Sequence, residues 1–288
     1  MIQEDEISAG ITGFIDILGF GNKVLNSNTL EDINNVANEI KKVQEEFEYN
    51  DPERDAMDSD LPTKTVLAFS DCVVINIPLE SESTVYTGTF DGYMFEFVRI
   101  ALAQIRCIQQ SIFLRGGIDS GWWYNTDHIV ISQSLTQAYK VEGSADVPVI
   151  ALSKDLYDKF ENHPDKKEFY GDNSGVLESM FELYDSGDNT FHFINYLEIV
   201  LQNINWQTDA EQRKKFDAAE TAEERDTIRN QGYQKNTEHC LEVHSSQIEL
   251  AFKNAKSEKV KNKYRWLSTY HNKIAKQWSD NEDLICEI

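Results

Sequence analysis

The spacing of apolar positions changes along this chain, and each change marks an element. Residues 10–18 are almost continuously apolar or β-branched and end at Gly19 and Gly21, which predicts a buried strand and then a tight turn. From residue 29 to 49, Leu30, Ile33, Val36, Ile40, Val43 and Phe47 recur at gaps of three and four. That spacing predicts an amphipathic helix capped by Asn28 or Thr29. Residues 63–69 and 72–77 are strand-like runs on either side of Ser70-Asp71, which predicts a β-hairpin. Helical spacing returns over 90–113 through Met94, Phe97, Val98, Ala101, Leu102, Ile105 and Ile108.

Residues 112–121 read as a strand carrying Arg115-Gly116-Gly117, and 128–131 as a short β-branched strand. A helix over 132–142 has Ser132 or Ser134 as its cap, followed by a strand over 147–152 and a helix over 154–160. Residues 180–184 and 190–193 form an edge hairpin around Ser186-Gly187-Asp188. The order β-α-β-β-α-β-β-α-β-α predicts an α/β fold with a mixed sheet and crossover helices. Beyond residue 194 the composition shifts: Gly232 is the only glycine, proline is absent and charge dominates. The chain therefore divides into an α/β part, 1–193, and a helical extension, 194–288, packed on the core or on a second subunit. Within it, residues 253–276 carry eight Lys/Arg interleaved with Tyr264, Trp266, Leu267, Tyr270 and His271, a packed stripe with solvated lysines. The acidic stretch 50–60 reads as a solvated loop.

Charge narrows the function classes. With 27 basic and 50 acidic residues the net charge is −23, which argues against nucleic acid and against anionic membrane surfaces as partners. A small anionic substrate stays open, because a local cation cluster or a metal overrides the global field. The four cysteines show no CxxC pair or zinc spacing and read as free thiols in a reducing compartment. The first eight residues lack a signal-peptide apolar core, and no run of 18 apolar residues occurs, so the expectation is a soluble cytoplasmic protein.

The candidate chemistry lies in two aspartates set in apolar strands. Asp16 sits in Phe14-Ile15-Asp16-Ile17-Leu18-Gly19-Phe20-Gly21, and Asp71 in Leu67-Ala68-Phe69-Ser70-Asp71-Cys72-Val73-Val74. A carboxylate there is costly to bury unless a cation meets it, and two brought together repel unless they share one. That points to a two-carboxylate Mg²⁺ or Mn²⁺ site and to phosphate chemistry. Glycines after Asp16 let backbone N–H groups of Leu18, Gly19 and Phe20 approach phosphate oxygens. Arg115 offers a fork for polyphosphate, or else a salt bridge to Asp119 or Glu142.

Phe-Ile-Asp-Ile-Leu-Gly-Phe, Phe-Ser-Asp-Cys-Val-Val and Leu-Arg-Gly-Gly-Ile-Asp-Ser-Gly, in this order and spacing, resemble the core of a class III nucleotide cyclase. The resemblance implies a ferredoxin-like core in which Asp16, the Ile17 carbonyl and Asp71 bind two Mg²⁺ or Mn²⁺ per site and Arg115 holds the β/γ-phosphates. It also implies a head-to-tail homodimer with composite sites. Purine cyclases of this family carry an Asn and, four residues later, an Arg on a helix that serves the transition state. Here Thr136 and Lys140 stand at those positions, within Leu135-Thr136-Gln137-Ala138-Tyr139-Lys140-Val141-Glu142.

This variant pattern, with its Ala-Tyr-x-x-Glu helix and helical extension, is similar to the bacterial Pycsar pyrimidine cyclases of anti-phage defence. These make cyclic UMP or cyclic CMP from UTP or CTP and thereby activate a separate effector. Tyr49, Phe69 and Tyr139 are candidates for narrowing the base pocket. The competing expectations are a purine cyclase, an inactive nucleotide-binding sensor, and a structural α/β interaction protein.

Overall fold

The computed structural model describes residues 7–48, 64–79, 88–126, 129–171, 175–207 and 209–288. The predicted acidic loop at 50–60, Tyr49 and His128 lie outside them. Contacts divide the chain into two compact units, Met1–Tyr196 and Leu197–Ile288.

The first unit is built around β1 (Ile7–Ile17). Its residues alternate between two faces, and both are covered: Ile11 and Ile15 are fully buried on one face and Thr12 on the other. That double burial is why the sequence reads as a nearly continuous apolar run. After β1 come α1 (Phe20–Asn26), α2 (Leu30–Glu48), the hairpin β2 (Thr65–Phe69) and β3 (Cys72–Pro78), α3 (Phe90–Gln109) and β4 (Leu114–Asn125). These strands lie in the order β2-β3-β1-β4, with β1 antiparallel to both β3 and β4. Two interlocked split βαβ units give this order, which is the ferredoxin-like arrangement.

Beyond it lie β5 (Val130–Ser132), α4 (Gln133–Ser144), β6 (Ile150–Leu152), α5 (Lys154–Glu161), the short α6 (Pro164–Tyr170) and α7 (Gly175–Glu178), and the hairpin β7 (Phe181–Asp185) and β8 (Thr190–Ile194). β6 runs parallel to β4, and β8 is antiparallel to β6, so the predicted mixed sheet with flanking helices is present, eight strands wide among the described residues. The α4 cap is Ser132, whose hydroxyl accepts from Leu135 N; Ser134 instead donates to Thr12 at 2.8 Å. Helix α1 replaces what the sequence reads as a plain turn. Its anchor is Phe20, buried at 2% exposure, next to Gly19 at φ 81°.

The second unit holds most of α8 (Tyr196–Gln202), then α9 (Ala210–Ala218), α10 (Ala222–Asn254) and α11 (Glu258–Trp278), and ends on a 3₁₀ turn, Glu282–Leu284. The 33-residue α10 starts on a capping box, Thr221 with Glu224. In the basic stretch, Tyr264, Leu267, Tyr270, His271 and Ile274 are buried while Lys256, Lys259, Lys273 and Lys276 are exposed. The chain end is tied down: Asn272 exchanges hydrogen bonds with the Cys286 backbone at 2.8 and 3.0 Å.

Between α10 and α11 two fully buried imidazoles meet, His244 Nδ1 and His271 Nδ1 at 2.9 Å. His271 Nε2 lies 2.8 Å from the Leu284 carbonyl, which only accepts, so Nε2 carries a proton. A neutral His271 then accepts at Nδ1, and His244 donates from Nδ1. Burial lowers both imidazole pKa values, assisted at His244 by its partner and opposed at His271 by the Leu284 carbonyl and Glu249. All four cysteines are free and buried, and burial pushes the Cys72 thiol up to about 12 and Cys240 to about 11. Among the described residues no helix is long and apolar enough to cross a membrane.

The pair makes stability depend on pH. Unfolded imidazoles take up protons below about pH 6.5 while these two stay neutral when folded, so stability is full above that pH and falls beneath it. Each histidine adds up to about 1.4 kcal/mol of loss per pH unit. Urea denaturation at pH 7.5, 6.5 and 5.5 should show this loss, with a shallower slope in His271→Gln. Equal slopes would show that the pair does not titrate this way.

Candidate functional site

The antiparallel register fixes which side chains share a face. Phe69 opposes Cys72, Cys72 opposes Asp16, and Asp16 opposes Arg115, so these four form one row across β2, β3, β1 and β4. The next row is Leu67, Val74, Phe14 and Gly117, and the one after is Thr65, Asn76, Thr12 and Asp119.

Asp71 flanks this array from the β2–β3 turn, where Ser70 adopts a left-handed φ of 54°. Its carbonyl accepts from Ile17 N at 3.0 Å, which ties the hairpin tip to the end of β1. A methyl group on Gly21 would come 3.9 Å from Asp71 Oδ2, so the start of α1 lies over this carboxylate. The structure thus brings Asp16 and Asp71 to neighbouring strand ends. The Cys72 thiol between them records both charges: after desolvation, Asp71, Asp16 and Glu142 are what raise its pKa.

Arg115 is held on three sides. Nη2 lies 3.2 Å from Asp16 Oδ2 and also forms an ion pair with Glu142 Oε1, and Nη1 donates to the Ala145 carbonyl at 3.4 Å. Side-chain exposure is 24% for Arg115, 20% for Asp16 and 6% for Glu142. Arg115 Nε is buried without a hydrogen-bond partner among the described residues. Asp16 and Asp71 present hard carboxylate oxygens of the kind that a divalent cation such as Mg²⁺ or Mn²⁺ takes. Among the described residues no group of three or more His, Cys, Asp or Glu is arranged to hold a metal ion. Further oxygens for such an ion would come from the Ile17 carbonyl, water or substrate.

Glu142 is the residue that sequence reasoning placed only as a salt-bridge partner. Its signal was its position: Ser134, Ala138, Val141 and Glu142 form the buried stripe of α4, and an acid on such a stripe needs a cation. Thr136 and Lys140 occupy the exposed face of the same helix, as does Tyr139 at 59% exposure, its ring edge-on to Phe14 with centroids 5.2 Å apart. The Phe20 side chain is in the core, away from solvent. A separate cavity near α1 and α2 is lined by Lys23, Lys41 and Lys42, but Glu39 neutralises Lys23 at 2.6 Å and Glu45 meets Lys41 at 3.6 Å.

The close approach of α4 depends on Gly117. A Cβ there would fall 2.2 Å from the Ala138 carbonyl oxygen and 2.5 Å from Glu142 N, both backbone atoms. Gly117→Ala should push α4 off the sheet, lower stability by about 1–3 kcal/mol and loosen the Glu142–Arg115 pair. Chemical denaturation checks this; an unchanged midpoint would refute it.

No protein-family model matches this sequence, and no curated protein matches it. Two structures of a bacterial light-regulated adenylyl cyclase resemble it at 12% identity, with TM-scores of 0.39 and 0.40. They cover 68% and 66% of this chain and 94% and 53% of theirs. The catalytic core of a rhodopsin-guanylyl cyclase with converted specificity, in complex with ATPαS, resembles it at 14% identity with a TM-score of 0.36, covering 65% of this chain and 96% of that one.

Proposed function

We propose that this chain is a nucleotide cyclase acting on a pyrimidine nucleoside triphosphate, UTP or CTP, to give the 3′,5′-cyclic monophosphate and pyrophosphate. The observation that carries the reading is the pairing of Asp16 with Arg115 on adjacent strands of a ferredoxin-like sheet, with Asp71 in the β2–β3 turn tied to the end of β1. Their motifs, 55 and 44 positions apart in sequence, are those of the class III cyclase resemblance. The pyrimidine preference and a role in anti-phage defence rest on the motif variant with Lys140 and Thr136.

In this reading Asp16, Asp71 and the Ile17 carbonyl would hold two divalent ions. When bound, such ions acidify the ribose 3′-hydroxyl and neutralise triphosphate charge. The 3′-oxygen forms its bond to the α-phosphorus as the bond to pyrophosphate breaks, and the hydroxyl proton passes to solvent. Arg115 orients the β/γ-phosphates through its guanidinium fork. Lys140 and Thr136, exposed on α4, serve a site completed by a second protomer, where Lys140 stabilises the developing charge. Leu67 and Phe69 support that arrangement: they lie on the face shared with Asp16, 37% and 55% exposed, an apolar ledge for a base or a partner copy.

Purified protein incubated with Mn²⁺ and each ribonucleoside triphosphate should yield cyclic UMP or cyclic CMP, detected by mass, and Asp16→Asn and Asp71→Asn should yield none. Cyclic AMP or GMP alone would make it a purine cyclase, and wild-type turnover by either variant would remove the two-carboxylate assignment. Lys140→Ala should lower kcat by about 10²–10³; a loss of only a few-fold would exclude Lys140 from the transition state.

A further inference from the structure

We propose that Glu142 is a positioning residue: it holds Arg115 beside Asp16 as a resident counter-ion, which a divalent cation must displace before the guanidinium can serve an anion. The inference rests on the cation-binding reading of Asp16 and deepens it. One guanidinium nitrogen, Arg115 Nη2, faces both Asp16 Oδ2, at 3.2 Å, and Glu142 Oε1. Asp16 cannot give its full charge to a metal ion while that contact stands, so cation and guanidinium compete for the same oxygen.

Glu142 decides where Arg115 goes when it loses. Its carboxylate is the most buried of the three groups, on a helix pinned to β4 at Gly117, and Ala145 at the end of that helix accepts from Nη1. Arg115 thus keeps two anchors on the α4 side after leaving Asp16, and among the described residues its buried Nε has no hydrogen-bond partner. A guanidinium freed from one of two anions and retained by the other stays at the site with charge to spare. The binding order that follows is cation first, phosphate second.

The test is Mn²⁺ binding to the full-length, nucleotide-free protein, read by electron paramagnetic resonance of free Mn²⁺. Arg115→Gln should bind Mn²⁺ at least about tenfold tighter than wild type, because the competitor is gone. Glu142→Gln should bind it more weakly, because the whole guanidinium charge then turns to Asp16. In the Arg115→Gln background the effect of Glu142→Gln should shrink to less than half, since Glu142 acts through Arg115.

An equal effect of Glu142→Gln in both backgrounds would overturn the proposal, leaving Glu142 as a mere negative charge near the ion. Unchanged Mn²⁺ affinity in Arg115→Gln would overturn it too. If circular dichroism shows Arg115→Gln unfolded, Arg115→Met replaces it: the apolar stem is kept and the competing charge removed, so Mn²⁺ should again bind tighter. Asp16→Asn separates the levels: lost Mn²⁺ binding upholds the site, whereas retained binding would defeat the cation reading itself.

Discussion

Because β1 is hydrogen-bonded along both edges, each residue from Gly10 to Asp16 has a fixed neighbour on either side. The register that pairs Asp16 with Cys72 also pairs it with Arg115, and a slip of one residue would turn Asp16 to the face occupied by Ile11 and Ile15. An acid in the middle of a sheet is tolerated here because the guanidinium arrives on the next strand by the same register. The ion pair and the fold are therefore one constraint seen twice: the sheet cannot form in this alignment without assembling the charges, and the charges would penalise any other alignment.

Local patterning made much of this readable. The strands up to residue 160 read as apolar, β-branched runs and the helices as 3.6-fold patterns, and the structure places elements over them in the same order. Asp16, Asp71 and Arg115 stood out because each interrupts a strand pattern. Helix α1 was not legible, since a seven-residue helix whose main anchor is Phe20 has no period to detect. The sequence offered Asp119 or Glu142 as a salt-bridge partner for Arg115, and the choice of Glu142 follows from Gly116 and Gly117, which give clearance for Ile15 on one side and for α4 on the other. The paired histidines of α10 and α11 were hidden for a similar reason, because on one helix each looks like an ordinary stripe residue.

The electrostatics of the whole chain and of the site pull in different directions. In the proposed function, the net charge of −23 repels a triphosphate at long range. A nucleotide bearing its own divalent ion carries less of that penalty, and Arg115 supplies the short-range attraction that the distant field lacks. In the proposed function, a preference for a metal-complexed anion over a bare one would follow from charge placement.

The buried thiols have a practical chemical meaning. With every cysteine of the chain enclosed and Cys72 and Cys240 raised to about 12 and about 11, almost no thiolate exists near neutrality. Alkylation and oxidation proceed through the thiolate, so the folded chain presents a nearly silent background to maleimides and peroxides. A single cysteine introduced on the outer face of α4, at Thr136 for instance, would be the one position such reagents find, and the native sequence needs no prior removal of its own sulfur to serve as the parent for site-specific labels.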